Sequence, residues 1–326
     1  MTGPRSLPRD PLVNLDTLAV VLDQPQQLRL QRLDLTPPGA EDVLVDIEWS
    51  GISTGTERLL WSGQMPPFPG MGYPLVPGYE SVGRVALAGD RSGRAVGERV
   101  FVPGARCFGP VRGLFGGAAA HLVVPGARTV TLVEGLEDQA VLLALAGTAY
   151  HALAAAGDRP PELIVGHGVL GRLLARIAVA LGGSPVVWEQ NAQRASGAQG
   201  YEVRDPAADE RRDYPVICDV SGDSQILDRL IARLAPGGEI VLAGFYHDPL
   251  SFSFPPAFMR EARLRVAAEW KEPDMQAVTA LIAAGRLSLD GLITHRRPAG
   301  EAEAAYRTAF TDPDCLKMVL DWRGLA

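Results

Sequence analysis

Three glycines stand at the spacing G-x-G-x-x-G, at Gly166, Gly168 and Gly171. The apolar residues before them predict a buried strand, and residues 172–181 after them have apolar side chains at helical spacing. A helix that starts directly after a strand offers free backbone N–H groups and a partial positive charge to an anion. The first glycine permits the tight turn, the second lets the backbone approach phosphates, and the third lets the helix pack against the strand. The segment therefore predicts a dinucleotide pyrophosphate site. The alternative is an α/β crossover whose glycines serve only packing.

The next predicted strand, residues 185–188, indicates which dinucleotide binds, because it ends in Glu189, 18 residues after Gly171. A carboxylate there accepts hydrogen bonds from the ribose 2′- and 3′-hydroxyls and repels a 2′-phosphate, which favours NAD over NADP. We expect the His167 side chain to meet phosphate or solvent. The candidate cofactor residues of this region are Gly166, His167, Gly168, Val169, Leu170, Gly171, Glu189 and Gln190.

Two patterns of predicted elements surround this turn. Between residues 17 and 133, short β-like runs alternate with Gly/Pro turns, which predicts a β-rich, barrel-like domain. Between residues 137 and 268, strands alternate with helices, which predicts a doubly wound α/β domain. The predicted β runs are 17–22, 28–33, 42–50, 82–88, 99–102 and 121–124. The later elements are strands at 216–220, 240–244 and 315–320 and helices at 224–234, 275–284 and 302–308, with a cap at 236–238 after the first of these helices.

Composition limits the possible classes of protein. The 326 residues leave room for about two domains, which we place at 17–136 with 286–326 and at 137–285. A net charge of −7 without a long basic run argues against a nucleic-acid partner, and no apolar run predicts a membrane span. Residues 1–16, rich in Pro and Arg, predict a disordered tail. Three widely spaced cysteines form neither a disulfide framework nor a zinc knuckle, which favours a reducing cytoplasm.

The order of motifs resembles the medium-chain dehydrogenase/reductase superfamily. Residues 77–83 are similar to its P-G-H-E-x-x-G motif and residues 97–100 to G-D-R-V, while 219–222 and 236–241 match the second nucleotide half. The resemblance implies an α/β protein with a GroES-like β-barrel catalytic domain and a Rossmann domain with a doubly wound parallel sheet. It also implies a possible homodimer through an edge strand of the Rossmann sheet, to which residues 250–258 would contribute. It adds Thr148, Ser221, Gly244 and Phe245 to the cofactor residues.

The departures from that superfamily concern zinc. Its zinc enzymes hold the catalytic metal with a cysteine, a histidine and a third ligand, and this chain has Ser53 and Tyr79 at the first two positions. Neither hydroxyl is a normal zinc ligand, and the single carboxylate of Glu80 does not hold zinc. The structural-zinc loop is also missing, since residues 102–117 contain only Cys107. The resemblance therefore implies a zinc-free member with no metal ligands.

A narrower resemblance lies in residues 53–63 and 65–80, which are similar to the bacteriochlorophyllide a dehydrogenase branch of the superfamily. That branch implies oxidation of the 3-(1-hydroxyethyl) group of a magnesium bacteriochlorin or chlorin pigment to 3-acetyl, with NAD, in bacteriochlorophyll a biosynthesis. A loop stiffened by Pro and Gly presents apolar faces that suit a flat macrocycle. The alternative is a hydrophobic loop packed on the barrel. The candidate substrate residues are Trp61, Met65, Phe68, Met71 and Tyr73.

Oxidation of an alcohol requires that the hydroxyl proton leave, and without zinc a side chain or a water chain must accept it. Tyr79 is the first candidate, either to orient the hydroxyl or to accept the proton, and Ser53 would join its hydrogen-bond chain or bond the backbone. Glu80 would orient Tyr79 or a water, or form a structural ion pair. His151 has a suitable ordinary pKa for a base, with a packing role as the alternative.

Two other functions fit the same motifs. One is a zinc-free quinone or enoyl reductase of the superfamily, which would use NADPH and prefer a small or basic residue at position 189. The other is a protein that binds a nucleotide or a pigment without catalysis, since no unmistakable catalytic base is present. Cofactor preference and NADH formation with a hydroxyethyl pigment separate these possibilities.

Overall fold

The computed structural model describes residues 15–67, 69–132, 135–154 and 159–325. The strands are β1 Asp16–Gln24, β2 Gln27–Asp34, β3 Asp42–Ile52, β4 Leu75–Val76, β5 Ser81–Ala88, β6 Arg99–Val102, β7 Arg112–Gly113, β8 His121–Pro125, β9 Val130–Thr131, β10 Leu163–Val165, β11 Val186–Trp188, β12 Glu202–Arg204, β13 Tyr214–Asp219, β14 Leu234–Leu242, β15 Arg263–Val266, β16 His295–Pro298 and β17 Met318–Asp321. The α-helices are α1 Thr56–Ser62, α2 Leu143–Ala154, α3 Val169–Ala180, α4 Leu227–Ile231, α5 Phe254–Met259, α6 Glu272–Ala283 and α7 Ala302–Thr311.

The chain divides into two compact units, Met1–Leu142 with Ile293–Ala326, and Leu143–Leu292. The boundaries predicted from the sequence lie a few residues before these divisions. Residues 1–14 of the predicted tail lie outside the described residues, and Asp16, which was assigned to the tail, begins β1.

The first unit contains two sheets. One has the order β2-β1-β4-β7, and the other has the order β16-β17-β3-β5-β6-β9, with β8 also paired to β3. Strand β3 is central because it pairs in antiparallel fashion with β5, β8 and β17. Its buried face is built from β-branched and apolar residues, which suit a pleated, half-buried surface. The antiparallel pairing brings the end of β3 beside the start of β5, and this pairing positions the side chains described below.

The second unit contains one parallel sheet with the order β12-β11-β10-β13-β14-β15. The chain order reverses between β10 and β13, which is the point at which sheets of this type bind ligands beyond the carboxyl ends of their strands. The core on one face contains the apolar side chains of β10, β13, β14 and α4. The predicted doubly wound parallel sheet and the β-rich barrel are both present.

Several element bounds differ from the predictions. Helix α3 starts at Val169, inside the glycine pattern, rather than at residue 172. The helix predicted at 224–234 is only α4, because β14 begins at Leu234 and runs through the Pro-Gly-Gly segment that was expected to cap the helix. Strand β14 pairs with β13 at Leu234 and again from Glu239, so the Pro-Gly-Gly segment is an irregularity within the strand rather than a helix cap. The backbone N–H of Gly237 bonds the carbonyl of Arg260 there, so tertiary contacts override the local turn signal. The last strand starts at Met318 rather than at residue 315, because Cys315 closes a turn onto Asp312.

Candidate active site

The glycine turn joins β10 to α3 in the second unit. Gly166 has a φ of +104°, a left-handed conformation that favours glycine. A Cβ on Gly171 would overlap the carbonyl oxygen of Gly166, so the close packing of helix against turn requires glycine there. A Cβ on Gly168 would meet no atom of the described chain within 4 Å, which leaves the turn open to a ligand. No described side chain caps the N-terminus of α3, so its free N–H groups fit a pyrophosphate. Val169 is buried in the first turn of α3, and Leu170 is half-buried.

Glu189 lies beside this turn, directly after β11. Its Oε2 accepts a hydrogen bond of 3.3 Å from the backbone N–H of His167, and its Oε1 accepts one of 2.8 Å from Asn191. The carboxylate is therefore at the carboxyl edge of the sheet, next to the glycine turn, where the sequence argument requires an acceptor for ribose hydroxyls. Gln190 follows it and is exposed.

The His167 side chain contradicts its prediction. It is fully buried, and its Nδ1 donates to the carbonyl of Arg194 at 2.6 Å. Since Nδ1 carries the proton, Nε2 accepts from the hydroxyl of Tyr201 at 2.8 Å. Burial lowers the pKa of His167 to about 4, so the ring is neutral near pH 7. The side chain connects the glycine turn to the segment after β11 and does not face phosphate or solvent.

A second group of predicted cofactor residues meets at the ends of β13 and β14. Ser221 donates its backbone N–H to Asp219 Oδ1 at 3.0 Å, and the backbone N–H of Gly244 bonds the Asp219 carbonyl at 3.1 Å. Tyr246, which the sequence analysis did not identify, donates its hydroxyl to Asp219 Oδ2 at 2.6 Å. Burial raises the pKa of Asp219. Asp219 thus holds both loops, and Phe245 between Gly244 and Tyr246 is half exposed.

Two predicted residues of α2 have local partners. Thr148 donates its hydroxyl to the carbonyl of Ala144 one turn earlier, at 3.0 Å. His151 Nδ1 donates to Asp274 Oδ2 at 2.9 Å, and the same carboxylate oxygen accepts from the backbone N–H of Lys271 at the start of α6. The contact therefore ties α2 to the N-terminus of α6. It supports the packing role for His151 over that of a base.

In the first unit, Ser53 and Tyr79 form a direct pair. Ser53 follows β3 and Tyr79 precedes β5, and the register that pairs Ser50 with Ser81 brings them together. The Tyr79 hydroxyl donates to Ser53 Oγ at 2.7 Å, and its ring packs edge-on against Phe115. Burial, with Glu80 adding to it, raises the pKa of Tyr79 well above its usual value. The phenol therefore stays protonated and can orient an alcohol, but it is a poor base.

Glu80 forms the structural ion pair that was the alternative to its orienting role. Its Oε2 lies 2.6 Å from Nζ of Lys317, both side chains are buried, and Lys317 also donates to the carbonyl of Ile52 at 3.2 Å. Burial raises the pKa of Glu80, while Lys317 opposes the shift. A Cβ on Gly51 would collide with the Glu80 carboxylate, which explains that glycine. The sequence carried no sign of this role for Lys317, which becomes visible only from the pairing of β17 with β3.

Glu57 is a third residue that the sequence analysis missed, after Tyr246 and Lys317. It lies in the first turn of α1 and is buried. Its Oε1 accepts from the backbone N–H of Ser53 at 2.9 Å, and its Oε2 accepts from the hydroxyl of Tyr306 on α7 at 2.7 Å. Burial raises the pKa of Glu57 to about 7, against the lowering effect of both hydrogen bonds. The sequence carries no clear signal of this role, because α1 also contains Thr56, Arg58 and Ser62 and an acid in its first turn is ordinary.

The candidate substrate residues occupy different environments. Trp61 lies in α1 rather than on the loop, with its ring 5.5 Å from that of Phe310. Met65 belongs to the hydrophobic core, and its side chain is 6% exposed. This burial contradicts its prediction as a pigment contact. Met71 and Tyr73 are half-buried against the same core, and Tyr73 donates its hydroxyl to the carbonyl of Leu60. Phe68 lies outside the described residues.

Neither a metal-binding cluster nor a membrane-spanning helix is found among the described residues. Within the described ranges, no group of three or more His, Cys, Asp and Glu side chains stands close enough to share a metal ion. No helix in the described part of the chain has both the length and the apolar character needed to cross a bilayer.

Comparison with known proteins agrees with this architecture. The model of the alcohol dehydrogenase GroES-like domain matches residues 39–134. The 2-desacetyl-2-hydroxyethyl bacteriochlorophyllide A dehydrogenase of Cereibacter sphaeroides is 60% identical over 316 residues, covering 95% of this chain and 99% of the relative. That of Rhodobacter capsulatus is 58% identical over 311 residues, with the same coverages. An alcohol dehydrogenase of Escherichia coli, solved with NADH, has a TM-score of 0.79 at 21% identity and covers 94% of this chain and 99% of its own.

The barrel-like unit and the parallel sheet with its glycine turn are those of the medium-chain alcohol dehydrogenases. Within that class, the identities of 60% and 58% over nearly the full length of both chains identify the family. The chain belongs to the 2-desacetyl-2-hydroxyethyl bacteriochlorophyllide A dehydrogenase family.

Proposed function

We propose that this protein oxidises the 3-(1-hydroxyethyl) group of a bacteriochlorophyllide, or chlorophyllide, to 3-acetyl in bacteriochlorophyll a biosynthesis. Hydride leaves the carbinol carbon, the hydroxyl proton leaves separately, and the C–O bond becomes a carbonyl. The observation that carries this proposal is the near full-length identity of 60% to a dehydrogenase named for this substrate. The hydroxyls of Ser53 and Tyr79 form a hydrogen-bonded pair at the positions where the superfamily's zinc enzymes have metal ligands. This pair supports the proposal that an alcohol binds there.

NAD is the cofactor we propose, and when bound it would supply the hydride acceptor. The uncapped start of α3, the open space at Gly168 and the carboxylate of Glu189 fit its pyrophosphate and ribose. Glu189 disfavours a 2′-phosphate through charge repulsion. The loops held by Asp219, with Ser221, Gly244 and Phe245, together with Thr148, are proposed to line the nicotinamide.

For the alcohol, we propose that Tyr79 and Ser53 orient the substrate hydroxyl. Tyr79 donates its proton to Ser53, so its remaining lone pair can accept from the substrate, while the Ser53 hydroxyl is positioned to donate. Because the pKa of Tyr79 is raised, the substrate proton leaves to water rather than to a phenolate. Positioning then supplies a large part of the rate enhancement.

Zinc independence follows from the same pair, because hydroxyls are not normal zinc ligands. Purified, pigment-free protein is expected to contain no stoichiometric zinc, and chelation should leave its activity intact. One zinc per chain that is lost together with activity would contradict the proposal. Magnesium would enter only with the pigment.

Trp61, Met71 and Tyr73 remain the proposed pigment contacts, with Phe68, whose surroundings lie outside the described residues. The three described side chains are only partly buried, so each has surface left for a flat ring. Met65 is omitted, because it is part of the core. A reducing cytoplasm remains the proposed compartment, on the cysteine pattern of the sequence.

A homodimer through the edge strand β15 is also proposed. Val266 on this strand is 75% exposed, and the neighbouring α5 exposes Phe254, Phe258 and Met259. An unpaired strand edge beside apolar side chains invites pairing with another chain. Sedimentation of the wild type against Val266→Lys tests this, with a dimer expected only for the wild type.

The assay that tests the function mixes purified protein, NAD and a 3-hydroxyethyl bacteriochlorophyllide. We expect NADH and the 3-acetyl pigment in equal amounts, followed by absorbance and by mass spectrometry. Pigment binding without turnover would indicate a binding protein. Quinone or enoyl reduction with NADPH, in the absence of alcohol oxidation, would indicate the reductase alternative.

A further inference from the structure

A continuous set of hydrogen bonds, buried except for the last, which is partly buried, runs from α7 to the proposed alcohol site. Tyr306 donates its hydroxyl to Glu57, Glu57 accepts the backbone N–H of Ser53, and Ser53 accepts the hydroxyl of Tyr79. Both Glu57 and Tyr306 are at most 2% exposed. Glu57 lies in the segment 53–63 that resembles the dehydrogenase branch, but the sequence assigned no role to Glu57 or to Tyr306, and their contact follows only from the fold.

Glu57 holds the backbone at Ser53 on both sides. Its own N–H bonds the Ser53 carbonyl at 3.2 Å, while its carboxylate accepts the Ser53 N–H. Residue 53 lies between the end of β3 and the start of α1 and belongs to no regular element. Without Glu57, the buried Ser53 N–H would lack this acceptor, and its backbone could move. A shift of the Ser53 backbone would carry its hydroxyl away from Tyr79.

Tyr306 in turn fixes the rotamer of Glu57. Its ring packs edge-on against Phe310, with centroids 5.7 Å apart, and Phe310 packs on Trp61 of α1. This aromatic group locks α7 against the helix that carries Glu57. The charged and titratable groups around the carboxyl are Glu80, Lys317, Tyr79 and Tyr306.

We propose that Glu57, held by Tyr306, is a positioning residue for alcohol oxidation: its carboxyl oxygen fixes the Ser53 backbone, and thereby the Ser53–Tyr79 pair that orients the substrate. This inference rests on the proposed role of that pair. Either protonation state of Glu57 keeps an oxygen that can accept from Ser53, so the acceptor and not the charge does the positioning. Glu57→Gln keeps that acceptor, and Glu57→Leu removes it at similar volume.

The experiment measures kcat and KM in the full chain with NAD and the 3-hydroxyethyl pigment. We expect Glu57→Leu to lower kcat about 10- to 100-fold, Tyr306→Phe to lower it about 3- to 10-fold, and Glu57→Gln to stay within about 2-fold of wild type. KM for NAD should not change. Arg307→Ala, which removes an exposed ion pair with Glu303 next to Tyr306, is the matched control.

A double-mutant cycle separates positioning from a general structural effect. In a Tyr79→Phe background, Glu57→Leu or Tyr306→Phe should change kcat less than about 2-fold, because the Ser53–Tyr79 hydrogen bond that they maintain is already lost. If Glu57→Leu does not fold, as judged by circular dichroism and Tm, Tyr306→Phe completes the cycle, since it keeps the ring.

Equal losses in the two backgrounds would overturn the inference, and so would a Glu57→Gln variant as impaired as Glu57→Leu. These results would leave the proposed function intact if Tyr79→Phe alone lowers kcat. If the Tyr79→Phe variant instead had the same kcat as the wild type, the proposed alcohol site would be wrong. The positioning role of Glu57, which depends on that site, would then be wrong as well.

Discussion

At the scale of single residues, the resemblance to the superfamily places two hydroxyls, those of Ser53 and Tyr79, at positions where its zinc enzymes have metal ligands. A protonated Tyr79 bonded to Ser53 can hold an alcohol in place but cannot carry its proton away. His151, the other residue that the sequence analysis considered as a base, bonds Asp274 at the start of α6. Orientation of the alcohol is therefore the role that we propose for the Ser53–Tyr79 pair.

Replacing Tyr79 by Phe removes one hydroxyl and keeps the ring against Phe115, so the fold should survive. We expect kcat to fall about 10²-fold or more, with little change in NAD affinity. His151→Ala should instead lower Tm, because it breaks the contact with Asp274, and leave kcat within a few fold. Steady-state kinetics and thermal unfolding of both variants test this pair. A large loss of kcat in His151→Ala but not in Tyr79→Phe would indicate that His151 on α2 handles the substrate proton.

We propose that the choice between NAD and NADP depends on Glu189, which lies beside the glycine turn. Glu189→Ser would remove the carboxylate proposed to accept ribose hydroxyls and to repel a 2′-phosphate, so the expected preference for NAD over NADP should narrow. The expected change is on the order of 1–3 kcal/mol, or about 10- to 100-fold in the ratio of kcat/KM values. Gln190→Ser, an exposed neighbour, serves as the control. Equal use of both cofactors by the wild type would show that Glu189 does not select.

At the scale of elements, two glycines of the β10–α3 turn are explained by different physical requirements. Gly171 is required by packing, because any Cβ there overlaps the Gly166 carbonyl. Gly168 has an ordinary φ of −71° and open space around its missing Cβ. The proposed dinucleotide would occupy this open space and so account for a glycine at that position.

Alanine at each position separates packing from binding. Gly171→Ala should lower the free energy of unfolding by about 1–3 kcal/mol, because the turn must move. Gly168→Ala should leave stability nearly unchanged and raise the Kd for NAD, because the methyl group occupies the ligand's space. Chemical denaturation and calorimetric NAD titration measure the two effects. A Gly168→Ala protein with unchanged NAD affinity would place the pyrophosphate elsewhere.

At the scale of the whole molecule, the first unit buries two carboxyls, a lysine and a tyrosine within one region, those of Glu57, Glu80, Lys317 and Tyr306. Lys317 pairs with Glu80, and among the described residues no cation forms an ion pair with Glu57. Burial consequently raises the pKa of Glu57 to about 7 from the usual 4.5. The free energy of unfolding should therefore depend on pH through the raised pKa of Glu57.

Because the folded state holds a proton on Glu57 that the unfolded state releases, Glu57 contributes its full stability below about pH 4.5. That contribution declines as the pH rises through about 7. Relative to Glu57→Gln, the wild type should lose on the order of 1–3 kcal/mol of unfolding free energy across this window. Denaturant titrations of both proteins at several pH values test the trend. A constant difference would mean that Glu57 has the same pKa in the folded and unfolded states.

The sequence alone determined the class of fold and the nucleotide turn, because both are local. Alternating apolar residues and the glycine spacing act over a few neighbouring positions, and the strand before the turn, the helix after it and Glu189 were all expected. The contacts of Glu57, Lys317 and His167 were decided by tertiary structure. Their partners Tyr306, Glu80 and Tyr201 lie 249, 237 and 34 residues away along the chain. No local pattern marks such pairs, since a buried polar group takes whichever partner the packing of strands and helices brings within reach.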